Sequence, residues 1–171
     1  MPALEFGAPG ESTWVEFRPD GAPAWVGRFP DAGESGYRCA VAFADGRTAL
    51  VLARGRGYVV DAVAAAVVRP TAFDRFDDGI TAPGRPFVIA SGHTALWAVG
   101  RDAERRVTPD VAVGFALEVS TPECVAGKLW DEPGGWYGFR LHFDGWRFER
   151  GPHLSSEWTA FAVPGINAPA I

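Results

Sequence analysis

Few side chains in this sequence are spaced for chemistry. The residues that could bind a metal ion are two cysteines and three histidines: Cys39, His93, Cys124, His142 and His153. None of them forms a Cys-x-x-Cys or His-x-x-x-His pair, the spacings that bring two ligands to one ion in structural zinc sites. We therefore predict no metal site, and nothing else in the sequence indicates a cofactor.

Candidates for covalent or acid–base catalysis are equally weak. Ser91-Gly92-His93 is typical of a tight turn, and two residues that straddle a turn seldom place a nucleophile against its base. Gly55-Arg56-Gly57 lacks the lysine and the spacing of a phosphate-binding loop. The adjacent carboxylates at 77–78 and at 131–132 are typical of a solvated acidic edge. We expect the chain not to be an enzyme; the alternative is an enzyme whose site is assembled from dispersed residues.

Aromatic and basic residues in the last third of the chain give the best indication of function. Two tryptophans and a tyrosine flank a Gly-Gly loop there, and three basic side chains follow within a dozen residues. Tryptophan, tyrosine and arginine are enriched at the centres of protein interfaces, and exposed indoles also stack on sugars. The candidate binding residues are Trp130, Trp136, Tyr137, Arg140, His142 and Arg147.

The segment 136–149 predicts a β-hairpin. Asp144-Gly145 suits a two-residue reversal because these residue types tolerate positive φ. Side chains alternate between faces along a strand, so one face is apolar and the other is charged. The predicted pairs across the hairpin are Phe143 with Trp146, Leu141 with Phe148, His142 with Arg147, and Arg140 with Glu149.

Two further hairpins are predicted from short glycine-containing turns. Around Asp45-Gly46 both faces are apolar, which indicates a central hairpin covered on both sides. A second reversal is expected at Ser91-Gly92. The predicted pairs are Phe43 with Thr48, Val41 with Leu50 and Cys39 with Leu52 in the first hairpin, and Ile89 with Thr94 and Phe87 with Leu96 in the second.

The remaining segments are assigned by alternation and by turn residues. Strands are predicted at 14–17, 24–29, 58–60, 111–119 and 124–130, and a turn of helix is expected at 155–157, before the apolar segment 158–163. The apolar run at 61–68 is either a short helix capped by Asp61 or a buried strand. The segments 71–86 and 101–110 are predicted to be polar loops. Residues 1–12 and 164–171 are expected to be extended or flexible.

One internal similarity suggests a repeat. Phe43–Leu50 and Ile89–Leu96 are identical at five of eight positions, at an offset of 46 residues. That offset resembles the period of β-propeller blades, although the complete Gly-His and Trp-Asp blade signature is missing. We assign no family on this resemblance.

Composition and turn spacing together predict the fold class. The 171 residues include 21 Gly, 14 Pro, 12 Phe and 7 Trp, which favours many turns and an aromatic core over long helices. We expect one all-β domain over residues 1–171, with at most one or two short helices. Its architecture is predicted to be an antiparallel β-sandwich or a rolled, barrel-like sheet of hairpins; the alternative is a small propeller-like repeat of hairpin units.

The net charge of the chain and the length of its apolar segments argue against two classes of function. A net charge of −5 argues against general nucleic-acid binding, and the longest apolar run is too short to cross a membrane. With no signal peptide and only two cysteines, a cytoplasmic location is expected. The sequence favours a non-enzymatic protein-binding module, such as an inhibitor or immunity-type protein, whose partner is another protein. The alternative is a carbohydrate-binding β domain that uses exposed tryptophans.

Overall fold

The chain folds into four β-sheets, and the prediction of an all-β fold built from hairpins is confirmed. The computed structural model describes residues 1–7, 10–31, 37–73, 75–132 and 134–154. Over these residues it contains fifteen strands and no helix, so none that is long and apolar enough to cross a membrane. Three sheets have four strands and one has three, and no sheet closes into a barrel.

The first sheet contains β1 (Ala3–Glu5), β2 (Ser12–Phe17) and β3 (Trp25–Pro30), in the order β1-β3-β2. β2 and β3 form a hairpin, as predicted. β1 runs parallel to β3, so these three residues of the segment 1–12, which was expected to be extended or flexible, are extended and belong to the sheet. The physical reason is apolar packing, because the ring of Phe6 lies 5.2 Å from that of Phe29 and fixes the start of the chain.

The second sheet contains β4 (Arg38–Ala42), β5 (Thr48–Ala53), β6 (Arg56–Asp61) and β7 (Ala66–Pro70), in chain order. The predicted register of β4 and β5 is confirmed, with Cys39 opposite Leu52 and Phe43 hydrogen-bonded to Thr48. All of β5 is buried, whereas Ala40 and Ala42 of β4 are exposed. The prediction of a hairpin covered on both sides is therefore correct for β5 and wrong for β4.

The apolar run at 61–68 is a turn followed by a strand, and its helical alternative is wrong. Asp61 does act as a cap, since its Oδ1 accepts the backbone N–H of Ala64 at 2.9 Å. The cap closes a tight turn, because Ala65 has a φ of +53° and β7 begins at the next residue. The alternative of a buried strand is therefore correct in that the segment forms a strand. This strand, β7, is only half-buried.

The third sheet contains β8 (Phe76–Thr81), β9 (Phe87–Gly92), β10 (Leu96–Gly100) and β11 (Glu104–Arg106), in the order β11-β10-β9-β8. Two of these strands lie in segments predicted to be loops. The predicted hairpin register is also wrong, because Ser91 lies opposite Leu96 and Ile89 opposite Ala98. The chain reverses after Gly92, which moves the pairing by four residues. An even shift leaves each side chain on its predicted face.

The fourth sheet contains β12 (Gly114–Ser120), β13 (Cys124–Asp131), β14 (Gly135–His142) and β15 (Arg147–His153), in chain order. The predicted pairs across β14 and β15 are confirmed in full. The connecting loop is wider than two residues, because Trp146 also has a positive φ of +54°. A bulge between Leu117 and Val119 interrupts the predicted alternation of β12 and turns Val119 to the other face.

The four sheets stack face to face, and each consecutive pair encloses one apolar cluster. The residues at the centres of these clusters are fully or almost fully buried. The main pairs are Phe29 against Val51 and Tyr58, then Leu52 and Val59 against Phe76 and Val88, and finally Ile89 and Leu96 against Phe139 and Leu141. Since β8 contacts both β4 and β12, the sheets also meet along their first strands.

The repeat in the structure has a period of 38 residues. The first strands of the second, third and fourth sheets begin at Arg38, Phe76 and Gly114. An Ala-x-Gly-Arg motif follows the first strand at 44–47 and again at 82–85, and its glycines share a φ near +67° (66° and 68°). The 46-residue similarity joins non-equivalent hairpins, β4–β5 and β9–β10. The sheets therefore repeat with a shorter period than the 46-residue similarity suggested, and they pack together as a sandwich of hairpins.

Candidate functional site

Most of the predicted binding residues lie on the outer face of the fourth sheet, which is the face directed away from the third sheet. Strand alternation places Trp136, Arg140 and His142 on this face of β14. Trp130 is the register partner of Trp136, and Arg147 is the register partner of His142. Five of the six predicted residues therefore share one surface.

Trp130 and Trp136 form an exposed aromatic pair at the end of the β13–β14 hairpin. Their ring centroids are 5.6 Å apart with an interplanar angle of 69°, an edge-to-face contact. They are 37% and 38% exposed, whereas Trp25 in the core is 3% exposed. In the connecting loop Gly134 has a φ of +114°, a conformation that favours glycine, and a Cβ there would lie 3.8 Å from the ring of Trp130.

Tyr137 lies on the opposite face of β14, so the structure does not bring it together with the two tryptophans. Its ring makes an edge-to-face contact with His153, with centroids 5.1 Å apart. The guanidinium of Arg150 lies 3.8 Å from the ring centroid and also pairs with Asp131 at 2.6 Å. Sequence proximity to the Gly-Gly loop suggested a shared surface, but adjacent strand residues point in opposite directions.

The basic residues of the outer face surround a carboxylate. His142 Nε2 lies 3.3 Å from Glu149 Oε2, and Arg147 forms an ion pair with the same carboxylate. The nearby His142 imidazole lowers the pKa of Glu149, and the positive charge of Arg147 adds to this effect. Glu149 therefore neutralises part of the predicted cationic patch. The net positive charge of the patch is therefore smaller than its basic residues alone would give.

Sequence reasoning missed one basic residue of this face. Lys128 lies two positions before Trp130 on β13, with its Nζ 2.9 Å from Glu118 Oε1. Its position could have been inferred from alternation once β13 was assigned as a strand. With Lys128 included, the outer face carries more positive than negative side chains on a chain whose net charge is −5.

The other side chains considered for catalysis do not converge where the structure describes them. Ser91 is fully buried in β9, whereas the side chain of His93 is 66% exposed, so the two do not form a nucleophile and base. Cys39 and Cys124 are free thiols. Within the described ranges, no three side chains of the His, Cys, Asp or Glu type are close enough to bind a metal ion.

Among the described residues, the carboxylate of Asp61 accepts hydrogen bonds from three different residues and lies between the second and third sheets. Asp61 is 3% exposed, and its Oδ2 lies 2.8 Å from Arg47 Nη2 and 3.0 Å from Arg101 Nη2. The hydrogen bond from Arg47 is the main cause of the lowered pKa of Asp61. Because Arg101 follows β10, this cluster joins the second sheet to the third. All its donors come from the chain itself, which indicates a structural role.

The outer face of the fourth sheet is therefore the surface where the predicted binding residues meet. It combines two exposed indoles with basic side chains on a sheet whose other face is anchored in the core. The turn of helix expected at 155–157 and the extended end expected at 164–171 lie outside the described residues. We found no match to the chain among protein-family models or among curated proteins.

Proposed function

We propose that the chain is a non-enzymatic protein-binding module that holds a partner protein on the outer face of its fourth sheet. The observation that carries this proposal is the paired exposure of Trp130 and Trp136, each more than one third accessible. Adjacent exposed indoles form an apolar patch that a partner can bury, and tryptophan is enriched among the residues that dominate binding energy.

The charges beside the indoles support a particular partner chemistry. Lys128 and Arg147 lie on the same face, each beside a carboxylate of this chain. The Lys128 side chain is 16% exposed, whereas the pair of Arg147 with Glu149 is exposed and contributes little to folding, so a partner carboxylate can compete for Arg147. A partner surface with an apolar pocket and an acidic rim therefore complements this face.

The packing beneath the face supports a preorganised surface. Phe139 and Leu141 alternate with the outer-face residues of β14 and are fully buried against the third sheet. A strand fixed in this way holds its outward side chains in place, which reduces the entropy lost on binding. The proposal includes an inhibitor or immunity-type role in the cytoplasm, where free thiols such as Cys124 are usual.

Carbohydrate binding is the second candidate, and the same two indoles support it. The edge-to-face arrangement leaves ring surface of each indole open to solvent, and sugars stack on such surfaces. The two functions differ in what the indoles recognise. Titration of the intrinsic tryptophan fluorescence with a broad glycan panel separates them, because only a sugar-binding domain responds.

The test of the protein-binding proposal compares tryptophan variants in affinity capture. The Trp130→Ser/Trp136→Ser protein and the wild type are used as bait on lysates of the source cells. Trp14→Ser is the matched control, since Trp14 is 58% exposed on the first sheet. Partners retained by the wild type are then measured by calorimetry.

We expect the double variant to bind the partner at least thirtyfold more weakly, which corresponds to about 2 kcal/mol. Trp14→Ser should keep the wild-type affinity, and circular dichroism should show that all three proteins are folded. Equal affinity of the double variant and the wild type for every retained partner would remove this face from the function.

A further inference from the structure

A large cleft opens between the first and second sheets. Its volume is about 760 Å³, which is in the range of small-molecule sites. The end of β1, the end of β3 and parts of β6 and β7 form its walls. The lining includes Glu5, Phe6, Arg56, Tyr58, Val67 and Pro70.

Chain geometry explains why packing leaves this space open. β1 has only three residues, so the first sheet is short on the side of the cleft. Pro30 and Pro70 end β3 and β7, and a proline has no N–H with which to extend a sheet.

The polar groups in the walls are already used by the protein. The hydroxyl of Tyr58 donates to the carbonyl of Pro30 at 2.9 Å. The hydroxyl of Thr71 donates to the carbonyl of Phe73 at 2.6 Å and accepts the N–H of Gly57 at 3.1 Å. These bonds hold the walls in position and leave mainly apolar surface toward the cleft. A ligand body that fits here is therefore apolar.

The rim of the cleft carries one cation and one carboxylate. Glu5 is committed to Arg28, with its Oε1 2.9 Å from Arg28 Nη1. Arg56 is exposed, and no hydrogen bond or ion pair joins its guanidinium to the residues that the structure describes. A guanidinium at the edge of an apolar cleft favours an anionic group, which it can bind through two parallel hydrogen bonds.

We propose that this cleft binds a small amphipathic anion. The flat apolar body of the ligand lies against Phe6, Tyr58 and Val67, and its carboxylate, sulfonate or phosphate group pairs with Arg56. This site is separate from the protein-binding face proposed above, because none of the residues that line the cleft belongs to the fourth sheet. Failure of one function leaves the other unaffected.

The test uses 8-anilinonaphthalene-1-sulfonate as the probe, an aromatic molecule with one negative charge. Its fluorescence is titrated with folded wild-type protein, with Arg56→Gln and with Val67→Phe, which fills part of the cleft. Arg18→Gln is the matched control, because Arg18 is an exposed arginine that directly follows β2 and does not line the cleft. The uncharged probe N-phenyl-1-naphthylamine is titrated in parallel, and near-ultraviolet circular dichroism verifies the fold of each variant.

We expect saturable binding of one probe molecule per chain, weakened about tenfold by Arg56→Gln and unchanged by Arg18→Gln. Val67→Phe should weaken both probes, whereas Arg56→Gln should weaken only the charged one. The proposal is overturned if the folded wild type binds no probe, or if Arg56→Gln and Arg18→Gln behave alike. It is also overturned if the Trp130→Ser/Trp136→Ser protein loses the probe and Val67→Phe keeps it.

Discussion

Replacement of Asp61 by asparagine tests how the second and third sheets are held together. The change keeps the shape of the side chain and removes its negative charge. The amide can still accept the N–H of Ala64, so the turn after β6 should persist. What is lost is the charge that pairs with Arg47 and Arg101.

The expected loss of stability follows from the burial of the partners. Removal of one member of a fully buried ion pair costs about 3–5 kcal/mol. Here the carboxylate is buried, but the side chains of Arg47 and Arg101 are 54% and 41% exposed, so water solvates them after the substitution. We therefore expect a loss of about 2 kcal/mol. With a urea m-value of about 2 kcal/mol per M, the unfolding midpoint falls by about 1 M.

The assay is urea denaturation followed by circular dichroism, with Asp102→Asn as the matched control. Asp102 is exposed and adjacent to Arg101 in sequence. The folded-state pKa of Asp61 is lowered, so its contribution to stability is complete above the unfolded pKa of about 3.9. The contribution is lost as the pH falls through the folded pKa. The difference between the variant and the wild type should therefore be constant from pH 8 to pH 6.

Two outcomes would refute this reasoning. Equal midpoints for Asp61→Asn and Asp102→Asn would show that the buried cluster contributes nothing to folding. A difference that disappears between pH 8 and pH 6 would show that another titrating group controls the effect.

Three further predictions test the close packing at Gly127, the hydrogen bonds of Glu104 and the burial of the Cys39 thiol. Gly127→Ala should lower stability by about 1–3 kcal/mol, because its Cβ would lie 2.1 Å from a carbonyl oxygen of β12; Gly10→Ala, in open space, should unfold like the wild type in the same urea titration. Glu104→Ala should cost about 1–2 kcal/mol and speed amide exchange in the loop after β7, because the Glu104 carboxylate accepts two backbone N–H groups there; unchanged exchange would contradict this. Burial, and secondarily a nearby carboxylate, raises the pKa of Cys39 to about 11. In a Cys124→Ser protein at pH 8, iodoacetamide should therefore modify it roughly a hundredfold more slowly than in urea, and equal rates would refute the shift.

The sequence predicted the elements in which local and cross-strand signals agree. At Asp144-Gly145 the turn residues, the alternation and the pairing of Arg140 with Glu149 all indicate the same hairpin, and its register is correct. At Ser91-Gly92 the turn dipeptide gave the wrong register, because Ser91 is a buried strand residue. A Ser-Gly dipeptide fits a strand end as well as a turn, and the packing of the neighbouring sheet decides between them.

The strands that the sequence missed lack an apolar alternation. β8 contains Asp77, Asp78 and Gly79, which together suggest a loop. In the structure Asp78 Oδ2 accepts the N–H of Leu117 at 3.2 Å, so a polar residue contacts the next sheet. The five candidate residues that share the outer face were predictable from alternation alone. The exclusion of Tyr137 was predictable by the same rule, and its proximity to the Gly-Gly loop was the misleading signal.

The face-to-face stacking of the sheets predicts which parts of the fold unfold locally most easily. The principal contacts between sheets join consecutive sheets, so each sheet depends mostly on its immediate neighbours. The second and third sheets have two neighbours, whereas the first and fourth have one. Protection of backbone amides from deuterium should therefore be greatest at β5 and β9 and should decrease toward both ends. The proposed partner-binding face would then belong to a sheet that can separate from the stack without global unfolding.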